Sequence, residues 1–124
     1  MLLGIAATAQ AGPVLKAGSW KFTFYQEPGQ TTTSTKDFCV NAKHTWSTLS
    51  PIPGHGGWTQ NGNDIGLYGT ISEILQGAAF SAIGQIVGAD TITGHYQFFN
   101  IVQNPPNGSH GAFKAVFKGE VCPL

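Results

Sequence analysis

The chain has 124 residues, of which 10% are charged, against roughly 25% in an average domain, and its net charge is zero. All six basic residues are lysines and they form no cluster, which argues against binding to nucleic acids or to anionic membrane surfaces. With 41% apolar residues, three Trp, three Tyr and eight Phe, the composition is that of a folded domain despite seventeen glycines and seven prolines.

The chain begins with an apolar run, Leu2–Ala11, which ends in the small-x-small pattern Ala9-Gln10-Ala11. This pattern is typical of the end of a secretory signal peptide, although the charged region that normally precedes it is missing. We therefore expect residues 1–11 to be a signal-peptide remnant and the mature protein to begin near Gly12, in the periplasm or outside the cell. A buried N-terminal segment is the alternative. No other apolar stretch is long enough to span a bilayer.

The first third of the chain predicts a hairpin, a helix and a loop. Apolar and polar residues alternate over Trp20–Tyr25, which predicts a strand, and the Thr-rich segment Thr31–Lys36 predicts the returning strand. Asn41–Leu49 is predicted to be one short helix with Asn41 as its N-cap. Ser50–Gly57, rich in glycine and proline, is predicted to be a loop.

Beyond Trp58, the chain again follows a period of two. Asn61-Gly62 predicts a type I′ hairpin turn, and further turns are expected near Gln76-Gly77, at 88–90 and at 104–108. The residues expected to share a face within each strand are Ile65, Leu67, Gly69 and Ile71; Phe80, Ala82, Gly84 and Ile86; Ile92, Gly94, Tyr96 and Phe98; and Phe113, Ala115, Phe117, Gly119 and Val121.

These patterns predict an all-β fold of seven or eight short antiparallel strands. Glycines inside the strands, such as Gly69 and Gly84, are typical of the tight bends at barrel corners. We therefore expect a small antiparallel up-and-down β-barrel with one short helix, formed as a single domain by residues 12–124. A β-sandwich is the alternative.

Cys39 and Cys122 are the only two cysteines. In an oxidising compartment the default expectation is a disulfide between them, which would tie the last strand to the front of the domain. Two buried free thiols are the alternative, and a redox or metal pair is disfavoured because neither residue lies in a C-x-x-C motif.

Two resemblances add to this interpretation. Gly18-Ser19-Trp20 is a G-x-W at the first strand, which resembles the calycins (lipocalins and avidins), whose first strand carries this pattern at the closed end of a barrel. Avidin-type biotin-contact motifs are not recognisable.

Most of the mature chain also resembles a small uncharacterised family of secreted proteobacterial β-barrels, a domain of unknown function. The stretches that carry this resemblance are Gly18-Ser19-Trp20, Cys39-Val40, Trp58, Gly69-Thr70, Thr93-Gly94-His95-Tyr96 and Gly119-Glu120-Val121-Cys122. The resemblance implies export, a barrel and a disulfide, and no particular chemistry. As a rule, members of that family have further cysteines that this chain lacks.

No motif predicts catalysis, a metal site or a cofactor. Gly54-His55-Gly56-Gly57 resembles the oxyanion loop of esterases, but no G-x-S-x-G nucleophile motif accompanies it. The four histidines have no metal-ligand spacing, and the six carboxylates fall mostly in turns or at strand ends. We therefore expect the protein not to be an enzyme. A hydrolase with an unrecognised site is the least favoured class.

The aromatic residues are the best clue to function. Many of them would fill the barrel core, but some are expected to line an open barrel mouth and to stack on a ligand. Residues flanking the Ser50–Gly57 loop and tyrosines with hydroxyls inside the barrel are the first candidates. The predicted ligand-binding residues are Trp46, Trp58, Tyr68, Tyr96 and Phe98.

The sequence thus predicts a secreted or periplasmic binding protein for a small apolar or aromatic ligand. The alternative is a protein-binding module, such as a periplasmic enzyme inhibitor or an envelope-interaction protein. The oligomeric state is left open.

Overall fold

The computed structural model describes residues 14–27, 32–48, 54–73, 76–100 and 108–122. It contains eight antiparallel strands, each paired with its neighbours in the sequence, and β1 also pairs with β8. The strands are β1 (Gly18–Gln26), β2 (Thr32–Asn41), β3 (Thr45–Thr48), β4 (Gly54–Asn61), β5 (Asp64–Glu73), β6 (Gln76–Ile86), β7 (Thr91–Asn100) and β8 (Gly108–Gly119). The predicted up-and-down barrel is confirmed, and the alternative of a β-sandwich is wrong.

Period-two alternation produces the core. In β1, Trp20, Phe22 and Phe24 are buried while Lys21 between them is exposed, because successive side chains of a strand point to opposite faces. In the other strands, too, every second side chain points inward, and most of these inward side chains are apolar. The buried apolar side chains are Leu15, Trp20, Phe22, Phe24, Phe38, Val40, Trp46, Trp58, Ile65, Leu67, Ile71, Phe80, Ala82, Ile86, Ile92, Tyr96, Phe113 and Ala115.

The predicted helix at Asn41–Leu49 is wrong. β2 continues to Asn41, residues 42–44 form a turn, and β3 follows at Thr45–Thr48. The Asn41 side chain does cap a backbone N–H, as the helix prediction required, but its Oδ1 accepts from the amide of Lys43 at 2.7 Å within a tight turn. His44 has a φ of +71°, which ends any helical path, and the residues after it are strand formers. The described part of the chain contains no helix that is long and apolar enough to cross a membrane.

The predicted loop at Ser50–Gly57 is wrong over its second half, because β4 begins at Gly54. Gly56 and Gly69 are ladder partners, and the indole ring of Trp46 lies against both of them. These glycines therefore mark the place where an aromatic ring needs room inside the sheet, rather than a loop. Residues 49–53, and with them the first part of the predicted loop, lie outside the described residues.

Three other turn predictions have mixed outcomes. The hairpin after β4 is present, but its two turn residues are Gly62 and Asn63, one position later than predicted, and Gly62 takes a φ of +64°. Bends at 88–90 join β6 to β7 as predicted, whereas Gln76 and Gly77 already belong to β6. The connection expected at 104–108 lies largely outside the described residues, and Gly108 starts β8.

The predicted disulfide is confirmed. Cys39 in β2 and Cys122 just after β8 are bonded, with their Cα atoms 5.7 Å apart. Because β1 lies between β2 and β8, the bond crosses the strand at which the barrel closes. A disulfide is consistent with an oxidising compartment. The predicted signal-peptide remnant lies outside the described residues.

Candidate ligand-binding site

The meander gives the barrel two different ends. One end carries the turns at 42–44, 62–63 and 87–90, together with the described chain ends at Val14 and Cys122; we call it the terminal end. At the opposite end, β1, β3, β5 and β7 finish and β2, β4, β6 and β8 begin. We call this second end the aromatic end, because partly exposed and buried rings meet there.

The terminal end is covered by the segment before β1. Leu15 is buried, and its amide donates to Oε1 of Gln60 at 3.0 Å. Nε1 of Trp20 donates to the Lys16 carbonyl at 2.8 Å. The Lys16 ammonium lies 2.6 Å from Oδ1 of Asp90 and 5.0 Å from the ring centre of Phe117. Backbone, indole and ion-pair contacts thus hold this segment across the barrel opening.

The aromatic end presents a partly exposed ring above a layer of buried rings. Phe98, near the end of β7, is partly exposed. Its ring centre lies 5.0 Å from that of Phe80, 5.5 Å from Tyr96 and 5.8 Å from Phe24. The rings of Tyr96 and Phe24 meet Phe98 edge to face, the arrangement that the aromatic quadrupole favours. One partly exposed aromatic side chain therefore packs on the buried ring layer at this end.

A polar group adjoins these rings. The Tyr96 side chain is buried and hydrogen-bonds the side chain of Ser109 in β8. Burial raises the pKa of the Tyr96 hydroxyl above its usual value of 10.0; the bond with Ser109 acts in the opposite direction, and the charge of Glu27 adds to the rise. Tyr96 therefore stays protonated at neutral pH and keeps a hydroxyl proton for hydrogen bonding.

Trp46 lies deeper in the barrel than its predicted place at the rim. It is 2% exposed, and its ring centre is 4.8 Å from Phe38 and 5.6 Å from Phe80. Its Nε1 donates to the carbonyls of Gly57 at 2.9 Å and Tyr68 at 3.2 Å. Trp46 therefore contacts the rings around Phe98 only indirectly, through Phe80 and Phe38, and its Nε1 donates to backbone carbonyls.

Trp58 lies at the terminal end, away from the other predicted site residues. Its ring stacks on His44 with centres 4.2 Å apart, and its Nε1 donates to the Asn41 carbonyl at 3.0 Å. The amide of Trp58 also donates to the His44 carbonyl at 3.0 Å. Through its stacking and its indole hydrogen bond, the Trp58 side chain packs the turn at 42–44 against β4.

Tyr68 lies on the outer face of the barrel, which corrects the expectation of a hydroxyl inside it. Its side chain is 53% exposed and covers Gly57 on the neighbouring strand. The reason is parity: Leu67 points inward, so the residue after it points outward. Ile83, 73% exposed, lies on the same outer face.

The structure thus brings Tyr96 and Phe98 together and places Trp46, Trp58 and Tyr68 elsewhere. Sequence reasoning did not select Phe24, Phe80, Ser109 or Glu27 for this site. Alternation had placed Phe24 and Phe80 inside the barrel, but only the pairing of β6 with β7, which sets Phe80 opposite Phe98, reveals that they meet Phe98.

The described residues contain no group of three or more His, Cys, Asp or Glu side chains that could hold a metal ion. All four histidines are exposed: His55, His95 and His110 lie on separate strands, and His44 packs on Trp58.

No family model, no curated protein and no solved structure matches the chain. The resemblances to calycins and to the family of small secreted barrels therefore stay predictions.

Proposed function

We propose that this chain is a non-enzymatic binding protein of the periplasm or the extracellular space, and that it holds a small apolar or aromatic ligand at the aromatic end of its barrel. The observation that carries the proposal is the partly exposed ring of Phe98, which rests on the buried rings of Phe24, Phe80 and Tyr96. Ligand sites combine such apolar walls with a few polar groups that set orientation, and the Tyr96–Ser109 pair is a group of that kind.

The contacts that cover the terminal end support binding at the opposite, aromatic end. Hydrogen bonds and an ion pair hold the segment before β1 across the terminal opening, through Leu15, Lys16 and Trp20. Opening it would break these contacts, whereas the Phe98 side chain at the other end is already partly exposed. A ligand therefore reaches the interior aromatic residues most easily at the aromatic end.

The affinity expected from this surface is modest. A two-ring ligand that buries about 150–200 Å² of apolar surface gains about 4–5 kcal/mol before the costs of association. This gain corresponds to dissociation constants of about 0.2–1 mM, and the costs of association move them toward the weak end of that range or beyond it. Calorimetry with a panel of planar aromatic compounds at millimolar concentration covers that range.

Two neighbouring phenylalanines offer a matched test. Phe98 lies among the aromatic residues of the site, whereas Phe99, the next residue, is 43% exposed on the outer face. Phe98→Ala should weaken ligand binding at least ten-fold, and Phe99→Ala should leave it unchanged, with circular dichroism verifying the fold of both variants. Equal losses in the two variants, or no binding by the native protein across the panel, would refute the proposal.

A protein-binding module is the second candidate, and the outer face of β5 and β6 favours it. Tyr68 and Ile83 are large, exposed and close together there, because Ile83 pairs with Gly66, two residues before Tyr68. Exposed apolar and aromatic side chains with few charges are typical of interface centres. This candidate requires a purified partner that binds the native protein at least ten-fold more tightly than the Ile83→Asp variant. If a partner is captured equally by both, this surface plays no part.

A further inference from the structure

The inner face of β2 carries a charged side chain, Lys36. It lies on the same face as the buried Phe38, because residues two apart in a strand point to the same side. Its ladder partner in β1 is Phe22, which is also buried, and Lys36 itself is half-buried. Among the strand residues whose side chains the structure describes, no other charged residue occupies an inward position. In this part of the chain, the lining of the barrel therefore has one cation and no anion.

The exposed part of the Lys36 side chain faces away from the terminal end. On the terminal side, Phe38 in β2 and its partner Trp20 in β1 are fully buried. On the other side, Ser34 is the next inward residue of β2, and it is exposed although its position points into the barrel. The ladder partner of Ser34 is Phe24. Solvent therefore reaches the inner face of β2 from the side of the aromatic end.

The ring of Phe24 connects the surroundings of Lys36 with Phe98. Its centre lies 5.9 Å from that of Phe22, the partner of Lys36, and 5.8 Å from that of Phe98. Phe38, the inward neighbour of Lys36 in β2, has its ring centre 6.4 Å from that of Phe24. Lys36 and Phe98 thus lie on different sides of one cluster of rings, and both are partly exposed there.

The Lys36 ammonium forms no hydrogen bond or ion pair with the residues that the structure describes. By contrast, Lys16 at the terminal end has the Asp90 carboxylate as its partner. A half-buried cation without a counter-charge has a desolvation cost that no interaction offsets. Departures of this kind from good packing occur mainly at functional sites, and a charged group among apolar walls is typical of ligand sites.

We infer that Lys36 binds a carboxylate of the ligand at the aromatic end, so that this ligand is a planar apolar body with a negative charge at one edge. The inference rests on the proposed function and names the class of its ligand. The apolar body would lie on Phe98 and extend past Phe24 toward Lys36, whose flexible four-carbon stem lets the ammonium meet the carboxylate. Glu27 and Glu73 belong to the same end, but they lie where β1 and β5 finish, and water and salt screen charges there more strongly than inside the barrel wall.

Three compounds with one ring system and one chain length separate charge from shape. They are 2-naphthylacetate, 2-(2-naphthyl)ethanol and 2-(2-naphthyl)ethylammonium, compared by calorimetry at pH 8.0, where histidine side chains are ordinarily neutral. The carboxylate should bind the native protein about ten-fold more tightly than the alcohol, and the ammonium compound should bind most weakly. Raising the salt from 20 to 500 mM should narrow the gap between the carboxylate and the alcohol.

Variants of lysine assign the preference to one residue. Lys36→Met removes the charge and keeps the apolar stem, and it should reduce the preference for the carboxylate to about two-fold or less. Lys36→Arg retains the charge and should keep most of the preference. Lys114→Met removes a charge from an exposed, outward position of β8; it is the matched control and should keep all of the preference. Lys36→Gln is a second neutral variant if Lys36→Met does not fold.

Thermal unfolding gives a measurement that needs no ligand. Because the ammonium has no partner among the described residues, free Lys36→Met should melt no lower than the native protein when unfolding is followed by circular dichroism. Saturating 2-naphthylacetate should raise the melting midpoint of the native protein more than that of Lys36→Met. A lower midpoint for the free variant would show that the charge stabilises the fold itself, and it would overturn the inference.

The possible failures are distinct. If the alcohol or the ammonium compound binds at least as tightly as the carboxylate, and binding depends on Phe98, the inference is overturned and the proposed function stands. If the full preference for the carboxylate survives in Lys36→Met, the inference is likewise overturned. If none of the three compounds binds in a manner that depends on Phe98, the proposed function and the inference fail together.

Discussion

Removing the disulfide should cost most of the stability that a long covalent loop can provide. The bond joins residues 83 positions apart, and loop-closure entropy for a loop of that length corresponds to about 4.5 kcal/mol at 25 °C. In the folded state the β1–β8 ladder closes the barrel independently of the bond. The loss should therefore act mainly through the unfolded chain, which gains conformational freedom when either sulfur is removed.

Cys39→Ser and Cys122→Ser should each lower the free energy of unfolding by about 3–4.5 kcal/mol, and the double variant should lose little more. Guanidinium titration followed by tryptophan fluorescence can measure this, because Trp20, Trp46 and Trp58 are at most 3% exposed and will respond to unfolding. The reasoning would be refuted if the double variant lost the sum of the two single losses. A loss below about 1 kcal/mol in both single variants would show that loop entropy is not the source of stability here.

Three further predictions test the packing described above. Gly56→Ala should destabilise the fold by about 2 kcal/mol or more, because the new methyl group would collide with the Tyr68 carbonyl and lie 2.8 Å from the Trp46 ring. Gly62→Ala, where space is open but φ is +64°, should cost only about 1 kcal/mol, and equal losses in the two denaturation curves would contradict the packing argument. The raised pKa of Tyr96 means that its stabilising contribution is complete below pH 10 and is lost as pH rises through the folded-state pKa. In Tyr96→Phe this decline should be smaller, as stability curves between pH 9 and 11 can determine. Trp58→Phe should cost about 1–2 kcal/mol in thermal unfolding, since the Asn41 carbonyl loses its indole donor; no loss would show that this bond does not hold the turn.

The alternation of apolar and polar residues predicted the strands correctly where the inward side chains are large and apolar. Trp20, Phe22 and Phe24 identified β1 and its inward face, and the same signal identified most of the later strands. The two cysteines and an oxidising compartment were enough to predict their bond. Side-chain parity is a local rule, and two thiols allow only one pairing, so neither prediction required knowledge of which strands are neighbours.

The missed elements are those whose signal depends on partners far away in the sequence. β4 begins in a glycine-rich stretch, and glycine has no side chain to alternate, so the strand is apparent only once Trp46 is seen to lie against Gly56. β3 has four residues, and the Asn41 cap is common to helices and turns. Neither signal distinguishes a helix from a hairpin.

The candidate site was predicted in part, for a similar reason. Tyr96 and Phe98 share an inward face because they are two residues apart, and the structure confirms that they adjoin. Tyr68 was expected inside the barrel even though it alternates with the inward Leu67, so parity alone would have placed it outside. Trp46 and Trp58 were expected at one rim because both flank the same loop. Strand length and direction instead carry Trp58 to the opposite end.

Because the barrel has an even number of strands, the described chain begins and ends on the same side, which would set the orientation of protein immobilised through either terminus. β1 begins and β8 finishes side by side, with Ser19 opposite Gly119, so both ends of the described chain emerge at the terminal end. A reporter or a biosensor chip coupled before Val14 or after Cys122 would be attached on the side away from Phe98. Immobilised protein would then offer its aromatic surface to the solution, a favourable orientation for measuring capture of small molecules.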